Sequence, residues 1–175
     1  MIVKLARTPG IYLVGFMGSG KSTVGRLLAD RLGWNFVDLD EQIEAEQNMK
    51  IAEIFDRYGE PYFRELEREA LRRRVRAIQR GEPTVVALGG GAFAQPENYA
   101  LVEDNGISIW LDIPLELARR RVEQDTNRPL ARDPEKFREL YEARRASYAR
   151  ADYRIEVTGE DPEAVVEAIL KLPVF

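Results

Sequence analysis

The residues best equipped for chemistry stand early in the chain. Gly15-Phe16-Met17-Gly18-Ser19-Gly20-Lys21-Ser22 fits G-x-x-x-x-G-K-[ST] at every fixed position. In such a run the glycines let backbone N–H groups turn inward around an anion. A helix opening at Lys21 adds the partial positive charge of its amino terminus. Lys21 can then reach the β- and γ-phosphates of a nucleotide, and the Ser22 hydroxyl can ligate Mg²⁺. The chemistry is that of a nucleoside triphosphate, and the motif is silent on the acceptor.

Candidates for the acceptor side are spread along the chain. Asp38 and Asp40 are carboxylates two positions apart. One could serve Mg²⁺ and its water shell, the other an acceptor hydroxyl. The ordinary alternative makes Asp40 a helix cap and Asp38 a solvated side chain. Gly89-Gly90-Gly91 suggests a backbone that a ligand approaches closely. Arg64 has an ordinary use as the i,i+4 partner of Glu60. Arg128, between Asn127 and Pro129, suits a lid that brings charge to a transferring phosphoryl group, with a plain surface arginine as the alternative. Arg144 and Arg145 are expected on a solvated helix face. Trp34 and Trp110 read as core aromatics, since no basic-aromatic array surrounds them.

The elements that must position these groups follow from periodicity. Ile11–Val14 is a short apolar run ending at Gly15, as in a buried strand. Val24, Leu27, Leu28 and Leu32 keep helical spacing until Gly33. Phe36–Leu39 is a second strand, and Asp40 is placed to cap the helix carrying Ile43. Ile51, Ile54, Phe55 and Tyr58 make a short helix closed by Gly59. Pro61 opens a long charged helix to about Gln79, with Leu66, Ala70, Leu71, Val75 and Ile78 inside. Thr84–Leu88 is a third strand running into the glycine triplet. Pro96 begins a helix, Ile107–Leu111 is a fourth strand, and Pro114 starts a helix with Leu115, Ala118 and Val122. Asp125–Pro134 lacks core-facing periodicity and reads as an exposed loop. Asp133-Pro134-Glu135 starts a helix through Tyr148, Tyr153–Val157 is a fifth strand, and Asp161-Pro162-Glu163 starts the last helix. Strands separated by helices imply a five-stranded parallel sheet with helices on both faces.

Composition narrows the chemistry. The chain has 175 residues, 26 Lys and Arg against 30 Asp and Glu, and neither cysteine nor histidine. Residues 1–175 are expected to form one domain. Without Cys there is no disulfide, thiolate nucleophile or Cys-ligated metal. Without His there is no Ser-His-Asp triad and no base with a pKa naturally near neutrality. Carboxylates, Lys, Arg, hydroxyls, backbone amides and a hard oxygen-ligated metal remain. Val85–Ala94 is too short to span a bilayer, and Met1–Thr8 lacks the apolar core of a secretion signal. The expected location is the cytoplasm. A net charge of −4 gives no reason to expect nucleic acid. The cations comprise 21 Arg and 5 Lys, which suits bidentate binding of carboxylate and phosphate but also fits a compositional bias. No unclaimed apolar stripe is evident, so a monomer is expected.

From Ile11 to the last helix the constellation resembles shikimate kinase. The matching pieces are GFMGSGKST from Gly15, Asp38-Leu39-Asp40, Gly59-Glu60-x-x-Phe63-Arg64, Gly89–Gly91 after a strand, and Asn127-Arg128-Pro129-Leu130. Arg144 and Tyr148 fit the family's Arg-x-Pro-x-Tyr segment. The resemblance implies a three-layer α/β P-loop kinase fold. It places a helical acceptor region at about residues 40–75 and a mobile lid at about 124–135. It implies transfer of the ATP γ-phosphoryl group to the 3-hydroxyl of shikimate, within aromatic amino-acid biosynthesis. By position, Gly18, Ser19, Gly20, Lys21, Ser22 and Thr23 would hold the nucleotide with Arg121 and Arg128, and Arg121 would stack on adenine. Ser22 and Asp38 would serve Mg²⁺, Asp38 through water. Asp40 would bind the shikimate hydroxyls and accept the proton. Arg64 and Arg144 would clamp its carboxylate, and the backbone of Gly89, Gly90 and Gly91 would contact its hydroxyls. Lys21 and Arg128 would stabilise the transferring phosphoryl group.

Two departures bear on this assignment. Ala146 replaces the proline of Arg-x-Pro-x-Tyr, so the choice between Arg144 and Arg145 rests on Tyr148. Thr158-Gly159-Glu160 lacks the arginine that some relatives place near adenine. A gluconate- or nucleoside monophosphate-type kinase of the same fold is the alternative. The arginine clamp and the short helical region from Gln42 to Tyr58 favour a compact acid over a nucleotide acceptor. A guanine-binding switch would carry Asn-Lys-x-Asp, which is absent. If Arg128 acts on the transition state, Arg128→Ala lowers kcat by about a hundredfold or more and leaves shikimate affinity nearly intact. Steady-state kinetics check this, and an equal loss of acceptor binding would reassign Arg128 to the acceptor site.

Overall fold

The computed structural model describes residues 10–124 and 133–175. Arg128 lies outside the described residues. Five parallel strands pair in the order β2-β3-β1-β4-β5: Gly10–Val14 (β1), Asn35–Asp38 (β2), Thr84–Ala87 (β3), Ile107–Asp112 (β4) and Tyr153–Glu156 (β5). The central strands β1, β3 and β4 are buried along their whole length, which is why they read as unbroken apolar runs. The edge strands β2 and β5 carry exposed residues and were correspondingly harder to bound from pattern.

The helices are Lys21–Leu32 (α1), Leu39–Gln47 (α2), Ile51–Tyr58 (α3), Glu60–Gln79 (α4), Pro96–Asn105 (α5), Leu115–Glu123 (α6), Pro134–Tyr148 (α7) and Pro162–Leu170 (α8). A short 3₁₀ turn, Ala92–Ala94, was not anticipated. The chain leaves β1 through α1 toward β2 and leaves β3 through α5 in the opposite direction toward β4. Right-handed crossovers running in opposite directions put α1 on one face of the sheet and α5 on the other. They also leave a crevice between the carboxyl ends of β1 and β3, where ligands bind in open α/β sheets. No described helix is long and apolar enough to cross a membrane.

Most expected elements are present, with local corrections. The second strand ends at Asp38, so Leu39 and Asp40 already belong to α2. Asp38, not Asp40, caps that helix, accepting the Glu41 N–H at 3.1 Å. The inner face of α4 is Phe63, Arg64, Glu67, Ala70, Leu71, Val75 and Ile78, and Leu66 is only partly covered. Trp110 is a core residue, whereas Trp34 packs on the core margin.

The sheet leaves little room where β1 and β4 begin. A Cβ at Gly106 would stand 2.2 Å from the Gly10 carbonyl oxygen and 2.8 Å from the Tyr12 ring. A backbone neighbour cannot swing aside as a side-chain tip can. Gly106→Ala is therefore expected to destabilise the fold by about 2 kcal/mol. Urea unfolding would register a lower midpoint with an unchanged slope.

Candidate active site

The turn between β1 and α1 is built by backbone geometry. Gly18 and Gly20 hold φ values of 81° and 88°, in the left-handed region that disfavours side chains. The Ser19 N–H donates to Phe16 O at 3.1 Å, and the Val24 N–H donates to Gly20 O at 2.9 Å. Lys21 Nζ donates to Gly15 O at 2.8 Å, which holds the ammonium along the inner rim of the loop. Phe16 anchors the loop from below. Its ring meets those of Phe137 and Tyr141 on α7 edge-on, each at 5.2 Å.

A cleft of about 340 Å³ opens beside this loop, within the range of small-ligand sites. Gly18, Gly20 and Thr23 line one wall, and Gly159 and Pro162 line the other. Arg121 ties the walls together, donating from Nη1 to Gly18 O at 2.9 Å and from Nη2 to Gly159 O at 3.0 Å. The resemblance pointed to Arg121 and to Thr158-Gly159-Glu160 near adenine, and this second segment enters the wall through Gly159 and Glu160 although it lacks the arginine of some relatives.

Ser22 and Asp38 meet where α1 faces the end of β2. The Ser22 hydroxyl donates to Asp38 Oδ2. Two hard oxygens in contact at the phosphate end of the site suit Mg²⁺. Among the described residues no group of three or more His, Cys, Asp or Glu side chains could hold a metal. Such a pair therefore fits an ion shared with phosphate oxygens and water, not a closed protein cage.

The acceptor-side candidates converge on the glycine triplet that follows β3. A Cβ at Gly89 would stand 2.6 Å from Asp40 Oδ1. One at Gly91 would stand 2.5 Å from an Arg64 guanidinium nitrogen and 3.0 Å from one of Arg144. The Tyr148 hydroxyl donates to Gly90 O at 2.7 Å. The triplet is thus a floor without side chains. The carboxylate comes from α2, one guanidinium from α4 and the other from α7.

Arg145 goes elsewhere. It is not on a solvated face, as expected, but pairs with Asp112 at 2.8 Å with its guanidinium 4.9 Å from the Trp110 ring centre. The geometry therefore separates two residues that the sequence left interchangeable. Arg64 is also more than a helix-surface partner of Glu60. It is buried, and its Nη1 donates to Glu67 Oε1 at 2.8 Å.

Glu67 is the functional neighbour that sequence reading missed. It is only 1% exposed, and Asn98 Nδ2 approaches the same oxygen at 3.5 Å. A signal existed: Glu67 interrupts the stripe formed by Phe63, Ala70, Leu71 and Val75. In a helix dense with Glu and Arg, that signal was easily lost. Burial raises the Glu67 pKa to about 7, against the opposing pull of Arg64.

The folded state therefore holds this proton more tightly than the unfolded chain does. Stability falls as pH rises from about 4.5 to about 7, and the loss is complete above that window. Glu67→Gln removes the titration while keeping the shape. It is expected to flatten the stability–pH profile across this window by about 3 kcal/mol. Urea unfolding at a series of pH values measures it, and a slope equal to wild type would mean Glu67 stays ionised throughout.

Comparison with known proteins places this fold in a family. A family model described as shikimate kinase matches residues 17–172. The chain is 48% identical to a shikimate kinase of Persephonella marina, over 91% of this chain and 96% of that protein. It is 47% identical to one from Sulfurihydrogenibium sp., over 91% and 95% respectively. A solved structure of Acinetobacter baumannii shikimate kinase in complex with shikimate superposes with a TM-score of 0.85 at 36% identity, covering 98% of this chain and 96% of that one. Shikimate kinase from Aquifex aeolicus gives 0.79 at 38% identity, covering 92% and 94%. With its phosphate loop, its glycine floor and these relatives, the chain belongs to the shikimate kinase family.

Proposed function

We propose that this protein transfers the γ-phosphoryl group of ATP to the 3-hydroxyl of shikimate. One observation carries the reading. Asp40, Arg64 and Arg144 meet over Gly89–Gly91, across the β1–β3 crevice from the phosphate loop. A small acid bearing hydroxyls needs a carboxylate for the hydroxyls and cations for its own carboxylate. The two guanidiniums over Gly91 suit that carboxylate, and the Asp40 carboxylate over Gly89 suits a hydroxyl. A nucleoside monophosphate acceptor is the weaker reading, since the short helices α2 and α3 favour a compact acid over a nucleotide, and the acceptor screen separates shikimate from gluconate.

In the reaction the acceptor hydroxyl oxygen bonds to the γ-phosphorus while the bond to the β–γ bridging oxygen breaks. The hydroxyl proton passes to Asp40. ADP leaves with the bridging oxygen. Lys21 holds the β- and γ-phosphates in line, and Arg128 adds charge from the stretch between α6 and α7. Ser22, with Asp38 acting through water, would hold Mg²⁺, which when bound neutralises charge on the phosphate oxygens. The Gly18–Thr23 turn and Arg121 bind the rest of the nucleotide. We assign this activity to a single-domain monomer in the cytoplasm.

The test is an acceptor screen with Mg-ATP. ADP release is expected with shikimate and only background release with gluconate or nucleoside monophosphates. No shikimate-dependent turnover would overturn the proposal. Asp40→Asn is expected to lower kcat by about a hundredfold or more. Near-normal kcat would mean that positioning outweighs proton removal and that Asp40 is not the base.

A further inference from the structure

Asp112, the last residue of β4, lies outside the residues assigned to catalysis or binding, yet it is only 7% exposed. Arg145 meets it with a fork: Nη1 donates to Oδ1 at 2.8 Å and Nη2 to Oδ2 at 3.4 Å. Arg145 Nη1 also donates to the Tyr141 hydroxyl at 3.0 Å, and that hydroxyl donates to Ile113 O at 2.6 Å. The Trp110 ring lies 4.9 Å from the same guanidinium. Asp112 and Trp110 of β4, with Tyr141 from α7 itself, therefore hold Arg145 from several sides. A planar fork resists rotation in a way that a lysine point charge would not.

The consequence falls on the next residue along the helix. Adjacent residues on an α-helix are separated by a fixed angle, so fixing the azimuth of Arg145 fixes that of Arg144. At about 6 Å from the helix axis, a roll of about 10° moves a side-chain tip by about 1 Å. A misplacement of that size is enough to spoil a reacting geometry. Arg144 stands over Gly91 beside Arg64, where small displacements are felt.

We propose that Asp112 is a positioning residue. By gripping Arg145 it sets the roll of α7 and aims Arg144 at the carboxylate of the acceptor. This rests on the reading of Arg144 as a shikimate clamp. Arg154 provides an internal control. It pairs with the same Asp112 at 2.7 Å but comes from β5, pairs there with Glu156 at 3.1 Å, and among the described residues makes no hydrogen bond to α7. A merely structural charge cluster would answer to loss of either arginine. A positioning device answers to the loss of Asp112 or Arg145 alone.

The experiment compares kcat/KM for shikimate and KM for ATP in wild type, Asp112→Asn, Arg145→Ala and Arg154→Ala. Asp112→Asn is then repeated in an Arg144→Ala background. Asp112→Asn and Arg145→Ala are expected to lower kcat/KM for shikimate about tenfold, with KM for ATP within about twofold of wild type. Arg154→Ala should leave both unchanged. In the Arg144→Ala background, Asp112→Asn should add nothing, because its effect passes through Arg144.

Unchanged shikimate kinetics in Asp112→Asn and Arg145→Ala would overturn the inference. So would an equal loss in Arg154→Ala, or an undiminished effect of Asp112→Asn without Arg144. If Asp112→Asn does not fold, Arg145→Ala tests the same contact from its less buried partner, both alone and combined with Arg144→Ala. Wild-type protein that fails to turn over shikimate would instead overturn the functional reading, so the two failures are distinguishable.

Discussion

The crevice between β1 and β3 is the constraint from which the rest of the site follows. Chain connections leave these neighbouring strands in opposite directions, so no crossover covers their carboxyl ends. The phosphate loop grows from one end and the glycine triplet from the other. Donor and acceptor groups therefore face each other without any special packing between them. Helices α2, α4 and α7 bring Asp40, Arg64 and Arg144 to the acceptor side from separate stretches of chain. A side chain at Gly89 or Gly91 would occupy the space of Asp40, Arg64 and Arg144.

Electrostatics then divide the site into two anion-binding halves. In the proposed reading, Lys21 and the helix amino terminus serve phosphates, while Arg64 and Arg144 serve the acceptor side. Arg64 is buried, and an isolated buried guanidinium is costly. Glu67 offsets that cost at 2.8 Å. Burial raises the Glu67 pKa to about 7, and the nearby Arg64 guanidinium opposes that rise. The absence of histidine is no handicap under these conditions. Phosphoryl transfer depends on positioned charge and alignment more than on a base poised near pH 7.

How much of this was legible varies with how local the cause is. The strand–loop–helix from Ile11 to Leu32 was readable because glycine conformations and helix spacing are short-range. Strand β2 was misjudged at its ends, and the cap was placed on Asp40 when it belongs to Asp38. At a sheet edge, apolar content no longer marks the boundary. Arg144 and Arg145 looked alike because sequence neighbours share every local property. Their different partners, Gly91 after β3 and Asp112 at the end of β4, lie far away in the chain.

By itself the sequence determined the alternation of strands and helices, the phosphate-binding loop and the exclusion of thiol and imidazole chemistry. These depend on backbone preferences and on which functional groups exist at all. Only the tertiary structure decided that Arg64 needs Glu67, that Arg145 is held by Asp112, and that Arg144 faces the glycine floor beside Arg64. Burial and pairing are properties of surfaces that meet in space. A charged helix carries no mark of which of its arginines will be enclosed until its partner strands and helices are in place.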